Sequence, residues 1–115
     1  MQPIQGEGYK VEFDPEGDVV RMAGSLRLGG LTEYTPISDL LDQAIDGRAA
    51  LTLDLRGLEF LNSSGIATLS KFVIHVRNSK TCALTVLGSN TIPWQGKSLN
   101  NLKRLMPSLE LRFDA

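Results

Sequence analysis

The spacing of apolar residues switches between two periods along the chain, and this limits the possible folds more than any other feature. Tyr9, Val11 and Phe13 recur at every second position, as in a strand with one buried face. The turn Asp14-Pro15-Glu16-Gly17-Asp18 follows, with Pro15 presetting φ and Gly17 accepting positive φ. Val19 to Ala23 then completes a hairpin. Ile37, Leu40, Leu41, Ala44 and Ile45 fall on one helical face. Thr35 is placed to cap that helix, Pro36 to occupy its first position and Gly47 to end it near Asp46. Leu51, Leu53 and Leu55 return to period two within a strand from Ala50 to Leu55. The sequence then predicts a helix from Ser64 to Asn78 (Leu69, Phe72, Val73 and Val76 inward) and a strand from Ala83 to Leu87. A loop from Gly88 to Gly96 leads to a helix from Ser98 to Met106, and Leu109, Leu111 and Phe113 alternate in a last strand. Strands separated by helices need crossovers and lie parallel. The order β-β-α-β-α-β-α-β therefore predicts an α/β fold, a mixed β-sheet with helices packed against it, in one domain over residues 1–115. Met1 to Gly8 reads as a loose lead-in, and Gly24 to Gly30 as irregular.

Composition excludes several function classes. With 42% hydrophobic and 22% charged residues, the chain can bury a core without a metal or disulfide staple. Its net charge of −1 gives no basic excess for nucleic acid. The cations read as dispersed, with Lys103, Arg104 and Arg112 a weak, solvated cluster. The single Cys82 cannot form an intrachain disulfide and reads as a structural thiol at a strand entry. The single His75, on a helix, has no second histidine with which to hold a metal. The N-terminus carries no signal pattern, and no apolar run approaches the roughly 20 residues of a membrane span; the expected location is the cytoplasm. Gly96-Lys97-Ser98 resembles only the tail of a phosphate-binding loop. Ser63 lacks a hydrolase partner set, because His75 lies further along the same helix. The expectation is a protein with no catalytic residue, cofactor or metal, acting by binding. Trp94 is read first as a cover for the core edge and second as an interface anchor.

One segment points to a function. Leu58 to Gly65 reads as a short turn from strand to helix, ending in Asn62-Ser63-Ser64-Gly65. Either serine can cap the helix, since a hydroxyl accepts a free backbone N–H there. A phosphate on Ser63 would be tolerated at a helix start and would add roughly −1.5 to −2 charges. That is enough to make or break an interface without unfolding the domain.

Leu51-Thr52-Leu53-Asp54-Leu55, followed by Leu58-Glu59-Phe60-Leu61-Asn62-Ser63-Ser64-Gly65-Ile66-Ala67-Thr68-Leu69, resembles the signature of STAS domains, the anti-sigma factor antagonists and their relatives. The resemblance implies a bacterial partner-switching regulator. It would bind a GHKL-type anti-sigma factor kinase, be phosphorylated on the first serine of the pair, and be restored by a PP2C-type phosphatase. On this chain Ser63 would be the phosphoacceptor, with Ser64 second, and Ser64 and Gly65 would shape the turn. Asp54 would be the acidic residue near the site. The helix face with Ser70, Lys71 and Arg77 would contribute to the interface. Two positions depart from the family pattern. Asn62 stands where phosphorylated members carry Asp, and Arg27, in Gly24-Ser25-Leu26-Arg27, stands where the family often has an acid. They favour an alternative, a non-phosphorylated scaffold or accessory subunit in a signalling or transport assembly. Arg27 has a further reading: a guanidinium near Ser63 would hold a phosphoserine.

Overall fold

The computed structural model describes residues 3–114. Its elements are β1 (Ile4–Gly6), β2 (Tyr9–Asp14), β3 (Val19–Leu26), α1 (Thr35–Ile45), β4 (Ala50–Leu61), α2 (Ser63–Ser79), β5 (Ala83–Ser89), α3 (Gln95–Leu105) and β6 (Glu110–Asp114). The six strands form one sheet in chain order. β1, β2 and β3 are antiparallel neighbours, whereas β3 to β6 run parallel. This is the mixed α/β architecture expected from the period switches, and the expected element order is found with one short strand added in front.

Each parallel pair is joined by a helix. Right-handed crossovers that all step in one direction place every helix on the same face of the sheet; α2 accordingly packs between α1 and α3. The core lies between these layers. Val20, Met22, Leu51, Leu53, Leu55, Leu84 and Val86 meet Ile37, Leu41, Leu69, Phe72, Val73 and Leu99. Burying a side chain of this kind contributes about 1.5–3 kcal/mol before the cost of chain ordering. Among the described residues no helix packs on the opposite face, which carries Lys10, Glu12, Arg21 and Asp54 beside Ala23 and Leu87.

Several boundaries differ from expectation, each for a local reason. Part of the lead-in is strand β1, because Ile4 pairs with Val11 and packs against the core. β3 runs on through Gly24 to Leu26. Gly24 has φ +90°, and a Cβ there would strike the Gly8 backbone, so glycine permits the ladder to continue. α1 starts at Thr35 itself; the Thr35 hydroxyl donates back to the Leu31 carbonyl (3.4 Å) instead of capping. α3 starts three residues early, at Gln95. Cys82 is buried, and burial pushes its thiol up, away from nucleophile chemistry. His75 is exposed.

The charges are segregated rather than dispersed. Lys71, Arg77, Lys80, Lys97, Lys103 and Arg104 lie in 60–109, a stretch without one acid, while 31–47 holds Glu33, Asp39, Asp42 and Asp46 and no Lys or Arg. Arg77, Lys103 and Arg104 occupy the last turns of α2 and α3, where a cation suits the negative end of the helix.

Candidate functional site

The segment expected to be a turn is mostly strand: β4 continues through Leu58 to Leu61. It does so by bulging twice against β3, once opposite the Arg21–Ala23 step and once opposite Gly24–Ser25. On its other side, pairing with β5 stops at Asp54. Backbone groups of the later residues therefore lack ladder partners, and two side chains at the start of α3 supply them. The Gln95 amide nitrogen donates to the carbonyls of Leu55 (2.7 Å) and Leu58 (3.0 Å), and its oxygen accepts from the Ser89 N–H (2.7 Å). Gln95 is fully buried. Trp94 donates its indole N–H to the Leu58 carbonyl (3.0 Å) and packs against the core, the core-edge role placed first.

The bulged end of β4 delivers Asn62, which caps α2. Its side-chain oxygen accepts the Gly65 N–H (3.1 Å) and the Tyr34 hydroxyl (2.6 Å). Its amide nitrogen donates to the Leu28 carbonyl (2.8 Å), and its backbone N–H to that of Leu26 (3.2 Å). One side chain thus fastens the β3–α1 loop to the start of α2. Tyr34 is 1% exposed; burial pushes its phenol up, so it remains a donor to Asn62. Gly65 is required here, because a Cβ would collide with the Leu61 side chain and the Tyr34 hydroxyl.

Neither serine is the cap, contrary to the sequence reading. Ser63 and Ser64 are the first two residues of α2, and Asn62 does the capping. Ser63 is exposed, and its hydroxyl takes no part in the hydrogen bonds at this helix end. Ser64 is half-buried, its carbonyl accepting the Thr68 hydroxyl (2.8 Å). Lys71 is exposed two turns further along α2. Ser70 bonds back to the Ile66 carbonyl, and Arg77 to that of Leu105.

The remaining two expected residues part company. Arg27 stays at this edge, its guanidinium 4.4 Å from the centroid of the Phe60 ring. Asp54 does not reach it. Asp54 pairs in register with Arg21, while Leu61 pairs with Leu26; those five β3 steps separate Asp54 from the end of β4 by about 17 Å. Asp54 sits on the uncovered sheet face, 8% exposed. Its carboxylate accepts from Arg56 Nε (3.0 Å), Nη2 (2.9 Å) and backbone N–H (3.1 Å). The hydrogen-bonded Arg56 guanidinium holds its carboxyl below the usual carboxylate range. Arg56 also reaches Asp114 (2.8 Å). The cleft over this face, lined by Arg21, Asp54, Arg56, Ser89 and Asp114 among others, is neutralised within itself.

Sequence reading missed Tyr34, Gln95, Phe60 and Leu31. Tyr34 and Gln95 break no pattern. Phe60 left a signal: Phe60 and Leu61 are adjacent apolar residues, and a strand can bury only one of two neighbours on a given face. Leu31 (49%) and Phe60 (37%) are the exposed large hydrophobics among the described residues. Phe60 lies next to the β4–α2 junction and Leu31 in the loop fastened by Asn62. Both therefore flank the carboxyl ends of the parallel strands, where α/β folds place their sites.

Fold and site together define an α/β module that presents an exposed serine, a stacked Arg–Phe pair and an exposed leucine at one edge of its sheet. No sequence-family model matches the chain, and no curated protein sequence matches it. Solved structures do. The chain is similar to a chain in the crystal structure of the diguanylate cyclase SiaD in complex with its activator SiaC from Pseudomonas aeruginosa, with a TM-score of 0.76, 15% identity and coverage of 99% of this chain and 100% of that one. It is also similar to apo-SiaC from the same organism (TM-score 0.73, 13% identity, 100% of each chain). A further SiaC structure gives TM-score 0.67 and 16% identity over 100% of this chain and 98% of that one. At these identities the likeness establishes the fold. No described helix is long and apolar enough to cross a membrane.

Proposed function

We propose that this chain is a STAS-type partner-switching module that acts by reversible protein binding, without catalysis, in the bacterial cytoplasm. Its partner would dock on the edge holding Ser63, Arg27, Phe60 and Leu31, and phosphorylation of Ser63 would control that docking. The observation that carries the reading is the division of labour at the start of α2. Asn62 holds the helix end, so the exposed Ser63 hydroxyl can change its chemistry without loss of the cap. The STAS-like sequence around it adds a GHKL-type kinase and a PP2C-type phosphatase as candidate partners. The likeness to SiaC adds a diguanylate cyclase as a candidate target.

A second reading rests on Asn62. Its amide donates to the Leu28 carbonyl, which an Asp carboxylate cannot do. The position that differs from phosphorylated STAS members therefore has a structural role of its own, which suits a constitutive binding subunit.

Intact-mass analysis of the protein purified from its own host, with localisation of any added phosphate, separates the two. Phosphate on Ser63 supports the switch; an unmodified chain under several growth conditions supports the constitutive subunit. Ser63→Asp is expected to leave stability within about 0.5 kcal/mol, since an acid suits a helix start. Thermal unfolding checks this, and a large loss would contradict an exposed Ser63.

A further inference from the structure

We infer that Arg27 reads the state of Ser63, stacking on Phe60 while the serine is free and moving to the phosphate when the serine is phosphorylated. This rests on the phosphoacceptor role proposed above and adds the residue through which that modification would act.

The carbonyls of the two residues flanking Arg27 are both fastened to Asn62, that of Leu26 by the Asn62 backbone N–H (3.2 Å) and that of Leu28 by its side-chain amide (2.8 Å). Arg27 is therefore carried on a backbone fixed directly beside the residue preceding Ser63. An arginine side chain spans roughly 6 Å from its Cα, and here the guanidinium lies 4.4 Å from the centroid of the Phe60 ring. The exposed Ser63, first residue of α2, directly follows the Asn62 anchor.

The guanidinium is free to move. Arg21, Arg48, Arg56 and Arg112 each pair with a carboxylate, but Arg27 pairs with none among the described residues, although Glu33 is six residues away in sequence and Glu59 is next to Phe60. Its one partner is an aromatic ring that is 37% exposed, where a cation–π contact is at its weakest. A phosphate dianion offers a two-pronged, charge-assisted contact, which the planar guanidinium fork fits and a neutral ring cannot match. Transfer of Arg27 to the phosphate would remove the cation from Phe60. One residue would then complete the docking edge in the free state and withdraw from it in the modified state.

The test uses the full chain with phosphoserine genetically encoded at position 63, so that it depends on no kinase. The second ionisation of the phosphate is followed by phosphorus NMR, and the Phe60 ring resonances are followed alongside. With Arg27 present, that ionisation is expected about one unit lower than in the Arg27→Ala chain carrying the same phosphoserine. Arg27→Lys should fall between, keeping charge but not the fork. The Phe60 resonances should shift on phosphorylation only when Arg27 is present. Identical phosphate titration in the Arg27 and Arg27→Ala proteins would overturn the inference, as would an unmoved Phe60. The two proposals fail separately: a host protein never phosphorylated on Ser63 removes the switch, whereas an encoded phosphoserine indifferent to Arg27 removes only the reader.

Discussion

The two halves of β4 hold their backbone in different ways. Residues 50–54 pair with β5, and 52–54 also pair with β3 on the other side, so ladder bonds satisfy their backbone groups. Their sequence needs only apolar side chains of suitable size at alternate positions. Residues 55–61 bulge against β3 and have lost β5. There the carbonyls of Leu55 and Leu58 depend on Gln95 and Trp94, and the strand end depends on Asn62. A ladder is generic and tolerates many sequences. A backbone held by side chains depends on individual residues, and this second half presents the candidate site.

The largest expected effect falls in the generic half. Leu53 is fully buried, and Leu53→Ala should cost about 3–4 kcal/mol through lost burial and a cavity. It should leave the Ser63 edge unchanged, as read by the chemical shifts of the Gly65 and Ser63 amides. Next comes Gln95→Leu, which keeps the volume but leaves the Leu55 carbonyl and the Ser89 N–H without their side-chain partner and the Leu58 carbonyl with Trp94 alone. We expect a loss of roughly 2–3 kcal/mol in urea unfolding, with a change in Trp94 fluorescence because the Leu58 carbonyl it shares with Gln95 is then held by the indole alone. A cost below about 1 kcal/mol would mean that the bulge holds itself, and the contrast between the halves would fail.

Asn62→Asp probes the strand end. The new carboxylate still accepts the Gly65 N–H and gains from the helix start. It faces the Leu28 carbonyl with no proton to give, and a net loss of about 1–2 kcal/mol is expected. Faster hydrogen exchange should appear in the β3–α1 loop before it appears in α2. Equal stability of both forms would mean that the bond to Leu28 contributes nothing, and the family-like Asp would then be freely allowed.

The same contrast explains what was legible in the sequence. The regular parts of the fold follow from apolar period alone: the hairpin, the α1 stripe from Ile37 to Ile45, and the Leu51, Leu53, Leu55 alternation all appear where expected. The Ser63-Ser64-Gly65 helix start was legible because serine and glycine have local roles there, although the cap itself moved to Asn62. Bulges were not legible. They leave residues such as Leu58, Phe60 and Leu61 with no simple period, so strand reads as turn. Tyr34 bonds the Asn62 side chain 28 residues away and Gln95 the Leu55 backbone 40 residues away, and no local pattern records such a bond. Asp54 was placed near the site by the family resemblance, yet a strand carries its residues apart at about 3.3 Å each.

Asp54 gives the smallest effect and separates the halves most cleanly. Its carboxyl is held below the ordinary range in the fold, chiefly by the hydrogen-bonded Arg56 side chain. The charged form is therefore favoured in the folded state. Its contribution is complete above the unfolded carboxylate value of about 4 and is lost as pH falls through the lower folded value. Asp54→Asn should flatten the acid limb of the stability curve below about pH 4 and cost about 1 kcal/mol at neutral pH. The cost is modest because Arg56 is 47% exposed and keeps Asp114 as a second partner. If Asp54 acted only on the uncovered face, partner binding and any Ser63 phosphorylation would be unchanged in Asp54→Asn. If instead this variant altered the Ser63 edge while stability barely moved, the ladder half of β4 would be transmitting to the bulged half, and the two could no longer be treated as independent.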